Sequence, residues 1–195
     1  MDTPSAVLPA ARLPTRYGNF DLKIFTDTAG AEHMALAKGM PVDECLVRIH
    51  SECATGDILG SLRCDCRDQL ETSLKLIEQS GCGILIYMRG HEGRGIGLTN
   101  KIRAYALQDK GMDTVDANTH LGFAADARDY TAAAEILKQF GLKKIQLLTN
   151  NRSKIDALEK AGITVTTHVP LWTTTNPHNE AYIATKRGRM GHIKS

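Results

Sequence analysis

Gly83-Ile84-Leu85-Ile86-Tyr87 is an unbroken apolar run between Gly81 and Gly90, the pattern of a strand buried on both faces. What flanks it decides the fold. Upstream, Leu70, Leu74 and Ile77 recur at i, i+4 and i+7, which predicts an amphipathic helix from about Asp65 to Gln79, stopped at Gly81. Downstream, the glycine-rich Gly90–Gly97 leads into a helix expected over Asn100–Lys110. The alternation continues with a helix over Asp129–Phe140, whose Ala133, Ile136, Leu137 and Phe140 share a face and whose stop is Gly141. A strand follows at Lys144–Leu148, then a helix opened by a capping box at Ser153–Asp156 and closed at Gly162, then a strand at Ile163–Val169. Residues 18–52 read instead as short strands, Asn19–Thr26, His33–Ala37 and Cys45–His50, broken by Asp27–Gly30 and Gly39–Pro41. The expected class is α/β: a layered mixed sheet with flanking helices and a β-rich N-terminal part, in a single domain over residues 1–195.

Two segments carry no clean period. Gly111–Arg128 reads as a long irregular loop, a kind usually functional or disordered. Leu171–Ser195 is polar and basic and reads as a surface arm or a subunit contact.

A chain of 195 residues with 42 % hydrophobic and 24 % charged residues is expected to build one soluble core. A net charge of +2 is too small to point to nucleic acid, yet clustered arginines could hold a polyphosphate. No apolar run approaches the ~20 residues that span a bilayer. Met1–Arg16 lacks the basic-then-apolar order of an export signal, so the cytoplasm is the expected location. In that setting five cysteines favour metal or catalytic use over disulfides.

Cys53, Cys64 and Cys66 are spaced C-x10-C-x-C. Three thiolates that leave a position for water suit a catalytic zinc, whose bound water can have a pKa near ~7. The alternatives are a closed structural site completed by His50 or Cys45, or simply reduced thiols. Cys45 and Cys82 lie in or beside expected strands and read as small buried hydrophobes.

Gly90-His91-Glu92-Gly93-Arg94-Gly95-Ile96-Gly97 stands between a strand and a helix, where backbone N–H groups and a helix dipole favour an anion; a ligand-free turn is the plain alternative. Arg94 adds a planar fork of donors. Glu92 could accept from the N1–H and 2-amino edge of guanine, or be a solvated glutamate. His91 reads as an exposed loop histidine. Tyr105 falls with Ile102 and Ala106 on the expected helix and reads as a core residue with a hydrogen-bonded tip. Asp126 and Arg128 read as a salt bridge. Thr149 and Lys154 lie where a strand passes to a helix, the usual ligand side of an α/β sheet, though Lys154 could be a solvated first-turn charge.

Together these pieces resemble one family. Arg48-Ile49-His50-Ser51-Glu52-Cys53, Thr55-Gly56-Asp57 and Ser61-Leu62-Arg63-Cys64-Asp65-Cys66 look like the zinc signature of GTP cyclohydrolase II. The match continues through Arg89–Gly97, Lys101–Gln108, Leu121–Asp126 and Leu147–Asn151. The resemblance implies one zinc per subunit on Cys53, Cys64 and Cys66. It also implies GTP contacts from Arg48, Ile49, His50, Ser51, Glu52, Gln69, Glu92, Gly93, Arg94, Thr114, Thr149 and Lys154. It assigns Asp126 as proton acceptor, Arg128 as nucleophile at the α-phosphate and Tyr105 to ring opening, with Mg²⁺ on the triphosphate and a homodimer as the assembly. A guanidinium is a poor nucleophile unless deprotonated, so stabilising charge on the transferring phosphoryl is the alternative role for Arg128. The implied reaction opens the guanine imidazole ring of GTP at C8, with loss of formate and pyrophosphate. It yields 2,5-diamino-6-ribosylamino-4(3H)-pyrimidinone 5′-phosphate, the first step of riboflavin biosynthesis. The length leaves no room for the synthase domain some relatives carry in front, so one activity is expected. Nucleic acid and membrane are not expected partners. Two rivals are a related enzyme that retains the formyl group and a GTP-binding regulator with structural zinc.

Overall fold

The computed structural model describes residues 7–124 and 126–189. Its strands are β1 (Val7–Thr15), β2 (Gly18–Thr26), β3 (Glu32–Lys38), β4 (Leu46–Ser51), β5 (Gly83–Met88), β6 (Lys144–Leu148) and β7 (Thr164–Val169). They form one seven-stranded sheet in the order β1-β2-β3-β5-β4-β6-β7. The β1–β2, β2–β3 and β3–β5 pairs are antiparallel, whereas β5–β4, β4–β6 and β6–β7 are parallel. The expected β-rich N-terminal part is thus one half of a mixed sheet.

The helices are α1 (Cys66–Ser80), α2 (Gly97–Gln108), α3 (Thr114–His120), α4 (Thr131–Gln139), α5 (Arg152–Lys160) and α6 (Glu180–Arg189). The apolar run of β5 explains the layering. Ile84 and Ile86 join Val47, Ile49, Ile136, Leu137, Ile155 and Leu158 in one core, under α4 and α5. Leu85 points the other way, with Phe20, Leu36, Leu74, Ile77 and Leu148, under α1. Each such side chain contributes roughly 1.5–3 kcal/mol on burial, so both faces must be covered.

Several boundaries differ from the sequence expectation for physical reasons. β1 was not expected; Pro9 and Pro14 mask it, and an edge strand tolerates residues with no N–H to donate. Within Gly111–Arg128, Thr114–His120 is helical. Its period is too short to read and its Thr, Val, Asp and Asn are weak helix formers, but Asp113 Oδ1 accepts from the Asp116 N–H and Ala117 and Asn118 are buried. The cap of α5 is Asn151, whose side chain accepts from Ser153 N at 2.9 Å, so the expected box on Ser153 is not formed; Asp156 pairs with Arg152 instead. On α2 the inward residues are Lys101 and Ala104, and Ile102 is exposed, which corrects the expected Ile102–Ala106 face.

The C-terminal segment folds back as far as it is described. Leu171 N donates to Asn150 Oδ1 and Asn150 Nδ2 donates to the Leu171 carbonyl, at 2.9 and 2.8 Å. Leu171, Asn179 and Ile183 are buried. Residues 190–195 of the expected arm lie outside the described ones. Among the described residues no helix is long and apolar enough to cross a membrane.

Candidate active site

β4 ends at Ser51, and the chain turns through a wide five-residue loop, Ala54–Ile58, before α1 begins. Cys53 precedes that loop; Cys64 and Cys66 stand at the entry to α1. Asp57 pins the loop: its carboxylate accepts from Cys53 N at 3.0 Å and from Tyr87 Oη at 2.8 Å, and faces His50 Nε2. The ligand atoms of Cys53, Cys64 and Cys66 consequently lie within 4.8 Å of one another, the one such cluster among the described residues. Gly56 closes over them. A Cβ there would stand 2.8 Å from Cys64 Sγ and 3.1 Å from Cys53 Sγ, so the missing side chain keeps a cradle for an ion. Three soft sulfur donors around such a cradle fit zinc. Neither His50 nor Cys45 joins them: His50 is turned to Asp57, and Cys45 sits in the core.

The S–H groups of Cys64 and Cys66, with the Lys101 ammonium, hold the Cys53 thiol well below its usual range. Cys64 is pushed up to about 11 in return, chiefly by the Cys53 sulfur, so the trio's charge is concentrated on Cys53. Lys101 Nζ lies 3.1 Å from Cys53 Sγ and 2.6 Å from Glu92 Oε1. Burial works against its charge, but the Cys53 thiolate and Glu92 outweigh it and raise its pKa.

Glu92 Oε2 accepts from Ala54 N at 2.6 Å, so both oxygens of this buried carboxylate have protein partners. It is therefore not the solvated glutamate of the plain reading, and any base would have to share it with Lys101 and Ala54. His91 is likewise buried, not exposed. Ser51 Oγ lies 3.1 Å from its Nδ1 and Tyr130 meets its ring edge-on at 5.3 Å. Burial, then the charges of Arg128 and Lys154, push His91 down to about 4. In the glycine-rich loop, Gly90 N donates to Glu52 Oε2 at 2.8 Å, and Arg94 has a left-handed φ of 69° between Gly93 and Gly95.

Two adjoining cavities meet here. The first is the thiol cavity, walled by Cys53, Cys64, Glu52, Glu92, Gly93 and Tyr105. The second carries Arg48 and Lys154 with His50, Gln69 and Thr149. Ser51, Cys66, Arg94, Arg128 and Tyr182 line both. Arg48 donates to the Leu148 carbonyl and to Gln69 Oε1, and burial lowers its pKa to about 10. Lys154 Nζ donates to the Ile49 carbonyl at 2.7 Å, so it is no solvated first-turn charge. Arg128 Nε donates to Asp126 Oδ1 at 2.8 Å and its Nη1 to Ser51 Oγ at 3.3 Å. Burial alone would lower its pKa; the Asp126 carboxylate reverses this and keeps the guanidinium charged.

Tyr105 is no core residue. Its Oη lies 3.5 Å from Thr55 Oγ1, and the Arg63 guanidinium lies over its ring at 4.7 Å. Of the remaining expected residues, Ile49 is fully buried and offers only its carbonyl, and Asp126 reaches the site through Arg128. Thr114 begins α3, and its side chain lies outside those described. Lys101, Asp57 and Tyr182 were not singled out for the site from sequence. Asp57 and Lys101 each stood inside a quoted motif, Thr55–Asp57 and Lys101–Gln108; Tyr182 had no signal.

The GTP cyclohydrolase II family model matches residues 6–170. GTP cyclohydrolase-2 of Azotobacter vinelandii (strain DJ / ATCC BAA-1303) is 55 % identical over 187 residues, 94 % of this chain and 89 % of that one. GTP cyclohydrolase-2 of Acinetobacter baumannii (strain SDF) is 51 % identical over 194 residues, 97 % and 96 % of the two chains. Riboflavin biosynthesis protein RibBA of Salinispora tropica is 53 % identical over 186 residues, 94 % of this chain but 46 % of its own length, so the chain spans about half of that relative.

Proposed function

The chain belongs to the GTP cyclohydrolase II family, and from that premise we propose that it opens the imidazole ring of GTP at C8 and releases formate and pyrophosphate, in the service of riboflavin biosynthesis. The product is 2,5-diamino-6-ribosylamino-4(3H)-pyrimidinone 5′-phosphate. The observation that carries the reading is the shared wall. A trio of thiols and a pocket bearing Arg48, Arg94, Arg128 and Lys154 adjoin, so one nucleotide can place its base in the first and its phosphates in the second.

Cys53, Cys64 and Cys66 would hold zinc. When bound, the ion would supply Lewis acidity and an activated water for hydrolysis at C8. Tyr105, at the thiol cavity, is placed to deliver a proton to the departing ring nitrogen. Glu52, Glu92 and Gly93, in the thiol cavity, would border the base; Ser51, on the shared wall, and the Ile49 backbone would border the sugar and phosphates. Gln69, His50 and Thr149 line the phosphate side beside the cations; Thr114 and Mg²⁺ would complete the triphosphate site, as the resemblance implies. Arg128, kept charged by Asp126, acts as a clamp on the developing phosphoryl charge, which the carboxylate pairing supports over attack by a neutral guanidine. We further propose a single catalytic domain, working in the cytoplasm as a homodimer, with neither nucleic acid nor membrane as partner.

Pure protein incubated with GTP, Mg²⁺ and Zn²⁺, with products identified by mass, tests this. Equal formate and pyrophosphate are expected. A retained formyl group, or tight GTP binding without turnover, would replace this reading by one of its rivals.

A further inference from the structure

We propose that Lys101 is a positioning residue for ring opening, whose ammonium draws charge from the Cys53 sulfur and so keeps an all-thiolate site able to act as a Lewis acid. The proposal rests on the reading of the thiol trio as a catalytic zinc site.

Three thiolates around a dication leave an excess negative charge, and each thiolate donates electron density that weakens the ion's pull on a ligand in the open position. A site of this composition needs a compensating positive field. Lysines are almost never buried unless paired, and this one is 8 % exposed. Its pairing with Glu92 at 2.6 Å would satisfy that need by itself. Yet the same Nζ is also 3.1 Å from Cys53 Sγ.

The carboxylate is oriented to keep that contact. Glu92 Oε2 is held at 2.6 Å by the N–H of Ala54, the residue next to Cys53. Lys101, Glu92 and the Cys53–Ala54 peptide thus form a closed clasp whose positive end touches the sulfur. A hydrogen bond from a charged donor to a metal ligand tunes the metal as well as fixing the ligand's direction. A lysine that merely neutralised Glu92 would not require the sulfur contact.

The test compares wild type, Lys101→Met, Lys101→Arg and the double variant Glu92→Gln/Lys101→Met. Each is loaded with Co²⁺ to record the thiolate-to-cobalt absorption band, titrated for zinc against a chelator, and assayed for formate and pyrophosphate from GTP. In Lys101→Met the band is expected to move to longer wavelength, because an unscreened thiolate gives up an electron more easily. Zinc should be held at least as tightly as by wild type. The kcat for formate should fall about tenfold or more, with KM for GTP within about twofold. Lys101→Arg should restore the band and part of the rate.

A wild-type band and formate rate in folded Lys101→Met would overturn the proposal, as would weaker zinc binding with an unmoved band, the mark of a mere prop for Cys53. If Lys101→Met fails to fold, the double variant, which leaves neither buried charge unpaired, carries the cobalt-band and zinc comparison. Wild-type protein that makes no formate would instead remove the ring-opening reading, while the cobalt bands still decide whether Lys101 acts on the sulfur.

Discussion

His50 and Asp57 lock the end of β4 to the turn that carries Cys53: His50 Nε2 lies 3.1 Å from both carboxylate oxygens, and the two side chains are 2 % and 4 % exposed. Asp57 also takes the Cys53 N–H and the Tyr87 hydroxyl. Replacing it with alanine strands these donors in the interior. Asp57→Ala should therefore lower the unfolding free energy by roughly 3 kcal/mol and loosen metal binding, whereas Tyr87→Phe, which removes only one donor, should cost about 0.5–1.5 kcal/mol. Urea midpoints check both. Equal midpoints for Asp57→Ala and wild type would show that the hub is not structural.

The cradle over the thiols is a matter of space. Gly56→Ala puts a methyl 2.8 Å from Cys64 Sγ, closer than carbon and sulfur tolerate. Zinc affinity should fall about tenfold or more, the equivalent of about 1.4 kcal/mol. The melting temperature should change little. Metal analysis after dialysis against a weak chelator reads the difference, and full zinc occupancy in the variant would refute the steric account.

Tyr105→Phe keeps the ring beneath Arg63 and removes only the long contact with Thr55. Wild-type melting, zinc binding and pyrophosphate release are expected. Formate release should drop at least about tenfold, the scale of a lost general acid. Formate and pyrophosphate measured in one reaction separate the two steps; equal formate from both proteins would remove Tyr105 from the chemistry.

Arg128→Lys preserves charge but loses the two-pronged pairing with Asp126. Pyrophosphate release should slow about tenfold or more, since a point charge cannot reproduce a planar fork. Near-normal turnover would mean that neither the fork nor a covalent role is needed.

His91 gives the fold a dependence on acidity. Its pKa falls from 6.5 unfolded to about 4 folded, so between those values the unfolded chain binds a proton that the native one refuses. Stability is therefore complete above about 6.5 and declines as pH falls toward about 4, with a slope of at most ~1.4 kcal/mol per pH unit from this group. His50, whose pKa is also lowered by burial, adds in the same direction. Denaturation curves across that window should flatten in His91→Gln; an unchanged slope would place the proton uptake elsewhere.

The sheet was legible where a local pattern carried it. Ile84, Leu85 and Ile86 alternate between two cores, so the unbroken apolar run, consistent with a buried strand, is one covered on both sides. The thiols were legible because the chain has only five cysteines, and the cations of the second cavity through the family resemblance. Burial decided by a partner distant in sequence was not. Lys154 could be a solvated first-turn charge until the Ile49 carbonyl takes it, and His91 reads as a loop histidine until Tyr130 covers it. Tyr182 reaches both cavities from a C-terminal segment that Leu171 ties to Asn150, a pairing no local period announces.

The two cavities also differ in when they can exist. Cys53, Gly56, Asp57, Cys64 and Cys66 lie in one short stretch around the turn after β4 and the start of α1, which Tyr87, Glu92 and Lys101 then fasten. The cation pocket waits for Arg48 to find the Leu148 carbonyl, Lys154 to find Ile49 and Thr173 to find Asp65, across separations of 100, 105 and 108 residues. Contacts that distant form slowly, and a ribosome releases the N-terminal partner first. A growing chain thus holds all three thiols well before it holds the partners that close its cation pocket.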